Sequence, residues 1–251
     1  AYGRQSPDAA KLAQPVPGSQ LASAYARDHH LLIQLAMGKS DALADLRRLV
    51  AANDSRSLRL QLAAGALFAK RGDLERARQA LEGRAPELLR ARAQIDAGRP
   101  LPGAIDSPEL GLSDLFAQLA IDVKGDGRSP VSLQLARLAT YMAPANAAAM
   151  IASVDLLASN SYHDAALALG TKVPAENPLY EAARQQRAGI LLQMGNREAA
   201  LADAQRAAAL LGAPSSAFVE LGGILSDMGR HSEATKAYQR AIDTDKAQGI
   251  T

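Results

Sequence analysis

The chain has no cysteine and no tryptophan, and aromatic residues make up only 4% of its 251 residues. Without cysteine there can be no disulfide, no thiol nucleophile and no thiolate metal site. The lack does not fix a compartment, because exported and cytosolic chains can both do without cysteine. No run of 18 apolar residues occurs, so no helical membrane span is expected. Neither sign of charge prevails: the formal net charge is +2, which alone is a poor argument for a polyanion partner.

The signatures of chemistry are missing as well. There is no G-x-S-x-G elbow and no H-E-x-x-H pair. Gly38-Lys39-Ser40 has the ending of a phosphate loop, but Ile33 stands where that loop needs glycine, and no strand precedes it. Asp122, Asp126 and Gly127 suggest a calcium loop, yet Lys124 and Leu133 fill two of its ligand places. His29 and His30 are adjacent, so on a helix they point about 100° apart and cannot easily share a metal. His163 and His231 open helices in different repeats. The expectation is a non-enzyme with no metal and no cofactor.

What the sequence does contain is helix. Apolar residues reach 48%, with alanine prominent, and the alternation of a half-buried strand is absent. Residues 181–214 and 215–248 are two copies of one 34-residue unit. Shifted by 34, Ala188 falls on Gly222, Leu191 on Leu225, Gly195 on Gly229, Ala200 on Ala234 and Ala207 on Ala241. Small residues at positions 8, 20 and 27 let two antiparallel helices approach closely, while Leu191, Leu225 and Tyr238 fill the space beside them. Glycine at position 15 ends the first helix, and Glu198 and Glu233 sit in the first turn of the second, where the helix dipole favours a negative charge. A fixed period holding two helix-length apolar patterns predicts an all-α solenoid of antiparallel helix pairs.

Phe218, Leu221, Gly222, Leu225, Gly229, Ala234, Tyr238 and Ala241 together resemble the tetratricopeptide repeat family. The family's frequent proline at position 32 is replaced by Gly212 and Lys246. The resemblance implies a right-handed superhelix, here of about 12–13 helices, that binds an as yet unidentified protein or peptide in its concave groove. LFAQLA followed by LQLARLATYMAP, within residues 58–245, resembles the middle of long exported alphaproteobacterial members of the family. That implies a periplasmic or envelope setting, with the cytoplasm as the alternative.

Four parts are expected in order. Residues 1–19, with Pro7, Pro15 and Pro17, read as an extended or disordered arm. Residues 20–97 read as divergent helical repeats, the clearest having Gly65, Phe68, Gly72, Ala77 and Leu81 in the repeat's places. Residues 98–112 form a Pro/Gly-rich connection, either a hinge or a packed loop. Residues 113–251 hold four consecutive repeats, beginning at 113, 146, 181 and 215, with one extra residue before 181. The chain stops just after a second helix, with no polar capping helix, and so reads as a section of a longer repeat protein.

The family's groove positions, carried over, give Ala117, Ile121, Met150, Val154, Leu157, Gln185, Leu192 and Val219 as the protein-binding residues. Gly189, Ser216, Gly223 and Asp227 belong to the same positions. The lysine and asparagine of the family's carboxylate clamp are absent from these places, so a clamp for acidic chain ends is not expected. Two readings of the apolar lining stay open: a groove for a partner, or packing against the next helices. The alternative function is polyanion or nucleic-acid binding by residues 70–99, with eight basic and five acidic residues. Nucleic acid is the less favoured partner, since these charges also suit a solvated helix surface with local ion pairs.

Overall fold

The structure is a computed structural model describing residues 20–39, 41–50, 55–124, 129–209 and 213–247. The arm expected over 1–19 lies outside the described residues. Among the described residues there are thirteen helices and no strand. They are α1 (Gln20–Met37), α2 (Ala42–Leu49), α3 (Ser55–Lys70), α4 (Leu74–Ala80), α5 (Pro86–Asp96), α6 (Pro108–Asp122) and α7 (Pro130–Met142). Then come α8 (Ala147–Ser159), α9 (His163–Gly170), α10 (Tyr180–Gln193), α11 (Arg197–Ala208), α12 (Ser215–Asp227) and α13 (His231–Ala247).

Helices pack as sequential pairs: α1 with α2, α3 with α4, α6 with α7, α8 with α9, α10 with α11 and α12 with α13. Later pairs are joined by the second helix of one against the first of the next: α7 on α8, α9 on α10, α11 on α12. Helix starts follow local chemistry. Asp73, Ser107, Ser129, Asn146 and Asn196 each accept a hydrogen bond from a backbone N–H three residues on. Pro86, Pro108 and Pro130 occupy the first turn, where a missing N–H costs nothing. Pro108 therefore starts α6 rather than prolonging the preceding connection, and residues 108–112 are helix.

Repeat geometry accounts for the glycines. Gly195 and Gly229 adopt φ of 75° and 73° in the turn between paired helices. A Cβ on Gly222 would lie 2.7 Å from the Tyr238 ring, and one on Gly65 would lie 2.6 Å from Leu81. Both glycines therefore mark close helix crossings at position 8.

One repeat is framed differently from the sequence reading. Asn146 caps α8 instead of opening the repeat, and the turn residue with positive φ (66°) is Ser161. Ser161, Gly195 and Gly229 are spaced by 34. The last three repeats therefore begin at 147, 181 and 215, and no extra residue separates the first two. In this frame Val154 takes position 8, beside Ala188 and Gly222, and Ala166 takes position 20 in place of Ala165. Their burial agrees: Val154 and Ala166 are fully enclosed, while Ala165 is exposed.

The first core is built from α1 to α5, with Leu31, Leu32, Leu35, Leu46, Leu60 and Leu81 at its centre. Leu101 and Ile105 of the Pro/Gly-rich connection are buried in it, so the connection is a packed loop. α5 breaks the pairing rule. It packs on α3 and α4, and reaches the loop before α10. There Arg90 donates to Ala175 O at 2.6 Å, Gln94 donates to Glu176 O, and Arg90 pairs with Glu181 at 3.4 Å.

Candidate protein-binding cleft

The first helices of successive repeats do not pack equally well. α6 packs on α8, and α8 on α10. The seam between α8 and α10 is filled, with Val154 against Ile190 and Met150 against Ala183. Between α10 and α12 both repeats have glycine at position 9, Gly189 and Gly223; a Cβ would meet nothing within 4 Å at Gly189 and only the Tyr238 hydroxyl, at 3.8 Å, at Gly223. A cleft of about 610 Å³ opens there. One wall is Gln185, Ala188, Gly189 and Leu192 of α10; the other runs along α12 from Ser215 and Ser216 through Val219, Glu220, Gly223 and Ile224 to Asp227.

Three of the eight expected groove residues, Gln185, Leu192 and Val219, come together in this cleft. Val219 is 50% exposed, while Ile224 and Leu225 of the same helix are buried. Ile121 is 45% exposed on α6, apart from the cleft. Ala117, Met150 and Val154 are buried. Ala117 packs with Ala139, Ala149 and Ala152, and Leu157 lies against the core around Val154. For these four the packing reading holds. In the 147-based frame Met150, Val154 and Leu157 occupy positions 4, 8 and 11, which face neighbouring helices. Reading the repeat one residue early moved them to the groove. Near Ala117 on the same helix, Asp114 is buried against Arg59.

Ala188, Ser215, Glu220 and Ile224 line the cleft without having been expected there. Position 8 faces the partner helix, and Ala188 stays buried there while bordering the cleft because α10 and α12 stand apart. No local sequence signal reports that separation. Glu220 is held by Arg184 at 2.5 Å, and Arg184 also donates to Glu181 at 2.9 Å. Burial pushes the Glu220 carboxyl above its ordinary value, and Arg184 draws it partway back. The ladder Arg90–Glu181–Arg184–Glu220 thus joins α5 to the wall of the cleft.

Most of the Arg-rich segment is engaged internally. Arg71 donates to Leu35 O and Ala36 O, at the carbonyl end of α1. Arg92 donates to Leu81 O and Gly83 O, Arg78 pairs with Asp96 at 2.8 Å, Arg76 with Asp73 at 3.4 Å and Lys70 with Asp106 at 2.5 Å. These side chains close helix ends and bind neighbouring elements, so nothing in their arrangement favours a polyanion.

The histidines do not converge. His29 lies 3.9 Å from Asp114, His30 is 2.8 Å from the Gln34 amide, and His163 and His231 begin α9 and α13. Among the described residues no three metal-ligating side chains cluster, and no helix is long and apolar enough to cross a membrane. Asp122 accepts a hydrogen bond from the Tyr25 hydroxyl, while Asp126 and Gly127 lie outside the described residues.

Residues 215–248, α12 with α13, match the family model of the tetratricopeptide repeat. Among solved structures, the chain is similar to a tetratricopeptide repeat protein from Parabacteroides merdae ATCC 43184. The identity is 15% and the TM-score 0.40, over 91% of this chain and 80% of that one. No curated protein matches the sequence. The match is confined to α12–α13, which is a tetratricopeptide-repeat unit, and the two helix pairs before it keep the same 34-residue frame.

Proposed function

We propose that this protein is a non-catalytic scaffold that holds a segment of a partner protein in the cleft between α10 and α12. Tetratricopeptide repeats generally mediate protein–protein contact. The observation that carries the reading is the cleft itself, an open apolar gap where two first helices part, with Val219 half exposed inside it. Exposed apolar concavities of this kind mark interaction sites. The resemblance to exported members of the family supports a periplasmic or envelope setting, which fractionation of the source cells checks.

The test is affinity capture with the wild-type chain and with Gly189→Leu, washed at low and high salt. A Cβ on Gly189 meets no atom within 4 Å, so leucine there occupies the cleft without disturbing α10. A discrete protein retained at high salt by the wild type and lost from the variant supports the reading. Equal retention by both contradicts it.

A further inference from the structure

The charges along the cleft are unequal. On the α10 wall, Gln185, Ala188, Gly189 and Leu192 carry none. On the α12 wall the ionisable residues are Glu220 and Asp227, both acidic. Arg184 compensates Glu220. Asp227 is exposed, and among the described residues no cation pairs with it. The two acids are seven residues apart, about 10 Å along the helix, and Gly223 and Ile224 lie between them. The cleft thus has an apolar floor, room for a close backbone approach at Gly189 and Gly223, and one uncompensated charge, which is negative.

We infer that the cleft selects a partner segment that places an aliphatic or aromatic side chain against Leu192, Val219 and Ile224 and a lysine or arginine beside Asp227. This rests on the cleft being the docking site. It is opposite in charge to a clamp for acidic chain ends. Apolar burial supplies most of the affinity, and the exposed cation–Asp227 pair supplies selectivity, a factor of about two to five in binding. A segment with aspartate or glutamate at that place meets Asp227 with like charge and no neighbouring base to relieve it.

The test uses a phage-displayed library of random linear peptides, panned in parallel on the wild-type chain, Asp227→Lys and Gly189→Leu. The wild type is expected to enrich lysine or arginine next to leucine, isoleucine, valine, phenylalanine or tyrosine. Asp227→Lys is expected to shift that enrichment to aspartate and glutamate, and to bind wild-type-selected peptides about two- to fivefold more weakly. Gly189→Leu is expected to enrich none of them. If the wild type enriches uncharged or acidic peptides that Gly189→Leu no longer selects, the charge assignment is overturned and the docking site stands. If Gly189→Leu selects the same peptides as the wild type, or if the wild type enriches nothing, the docking site itself is overturned.

Discussion

Arg59 of α3 reaches Asp114 of α6, 55 residues later in the chain, at 2.5 Å, with both side chains almost completely buried. The same guanidinium holds Asp28 of α1 at 2.7 Å. Beside them Arg56 pairs with Asp28 and Asp122, and stands over the Tyr25 ring. One cation therefore ties two helices of the first core to the helix that opens the later repeats.

Removing that cation leaves two buried carboxylates facing each other. Arg59→Met is expected to destabilise the chain by about 3–5 kcal/mol. The triple variant Asp28→Leu, Arg59→Met, Asp114→Leu is expected to recover most of the loss, since an apolar replacement of the whole set leaves no unpaired charge. Urea unfolding of the three proteins checks this. A neutral single variant would show that the triad carries no net structural role.

His29 gives the junction a pH dependence. Burial holds its imidazole below the ordinary 6.5; Asp114 draws it partly back up and Arg59 adds to the lowering. As pH falls below 6.5 the unfolded chain takes up a proton that the native state refuses. The stability tied to His29 is therefore present above that value and lost as pH falls through the lowered native one. Asp28, held above its ordinary 3.8 by burial, works in the opposite sense toward acid pH. His29→Gln isolates the first effect. Its unfolding free energy is expected to fall less steeply than that of the wild type below pH 6.5, and identical slopes would refute the assignment.

Gly222 and Tyr238 test the repeat's packing. Gly222→Leu forces side-chain atoms into the Tyr238 ring and is expected to cost about 1–3 kcal/mol. Adding Tyr238→Ala is expected to return part of that loss, and thermal melts of the single and double variants read the coupling. Additive effects would mean that the two residues do not meet.

The repeat was legible because its marks are local. Small residues at position 8 and glycine at position 15 recur every 34 residues in the last two units, for reasons of close packing and backbone conformation. In the unit before them both marks change, to Val154 and Ser161, and the frame slipped by one residue. A slip of one residue turns a helix face by about 100°, enough to carry Met150, Val154 and Leu157 from core to groove on paper. The Arg59–Asp114 contact had no local signal, because neither repeat spacing nor charge pattern joins residues 55 apart. The cleft was half legible. Gln185, Leu192 and Val219 follow from groove positions, but whether two first helices pack or part depends on side chains from both.

Val154→Asp buries an unpaired charge in a fully enclosed site and is expected to cost more than about 4 kcal/mol, melting the later repeats. Val219→Asp, on the exposed wall of the cleft, is expected to stay within about 0.5 kcal/mol of the wild type. Circular dichroism melts separate the two. Similar stability for both variants would return Val154 to the groove.

Photo-crosslinking locates partner docking between α10 and α12. A benzophenone side chain is placed at Val219 in the cleft or at Tyr141, 81% exposed on α7 and outside the cleft. A discrete protein adduct is expected from position 219 that disappears when Gly189→Leu is added, and no such adduct from position 141. Equal adducts from both positions, or an adduct from 219 that survives Gly189→Leu, would contradict it.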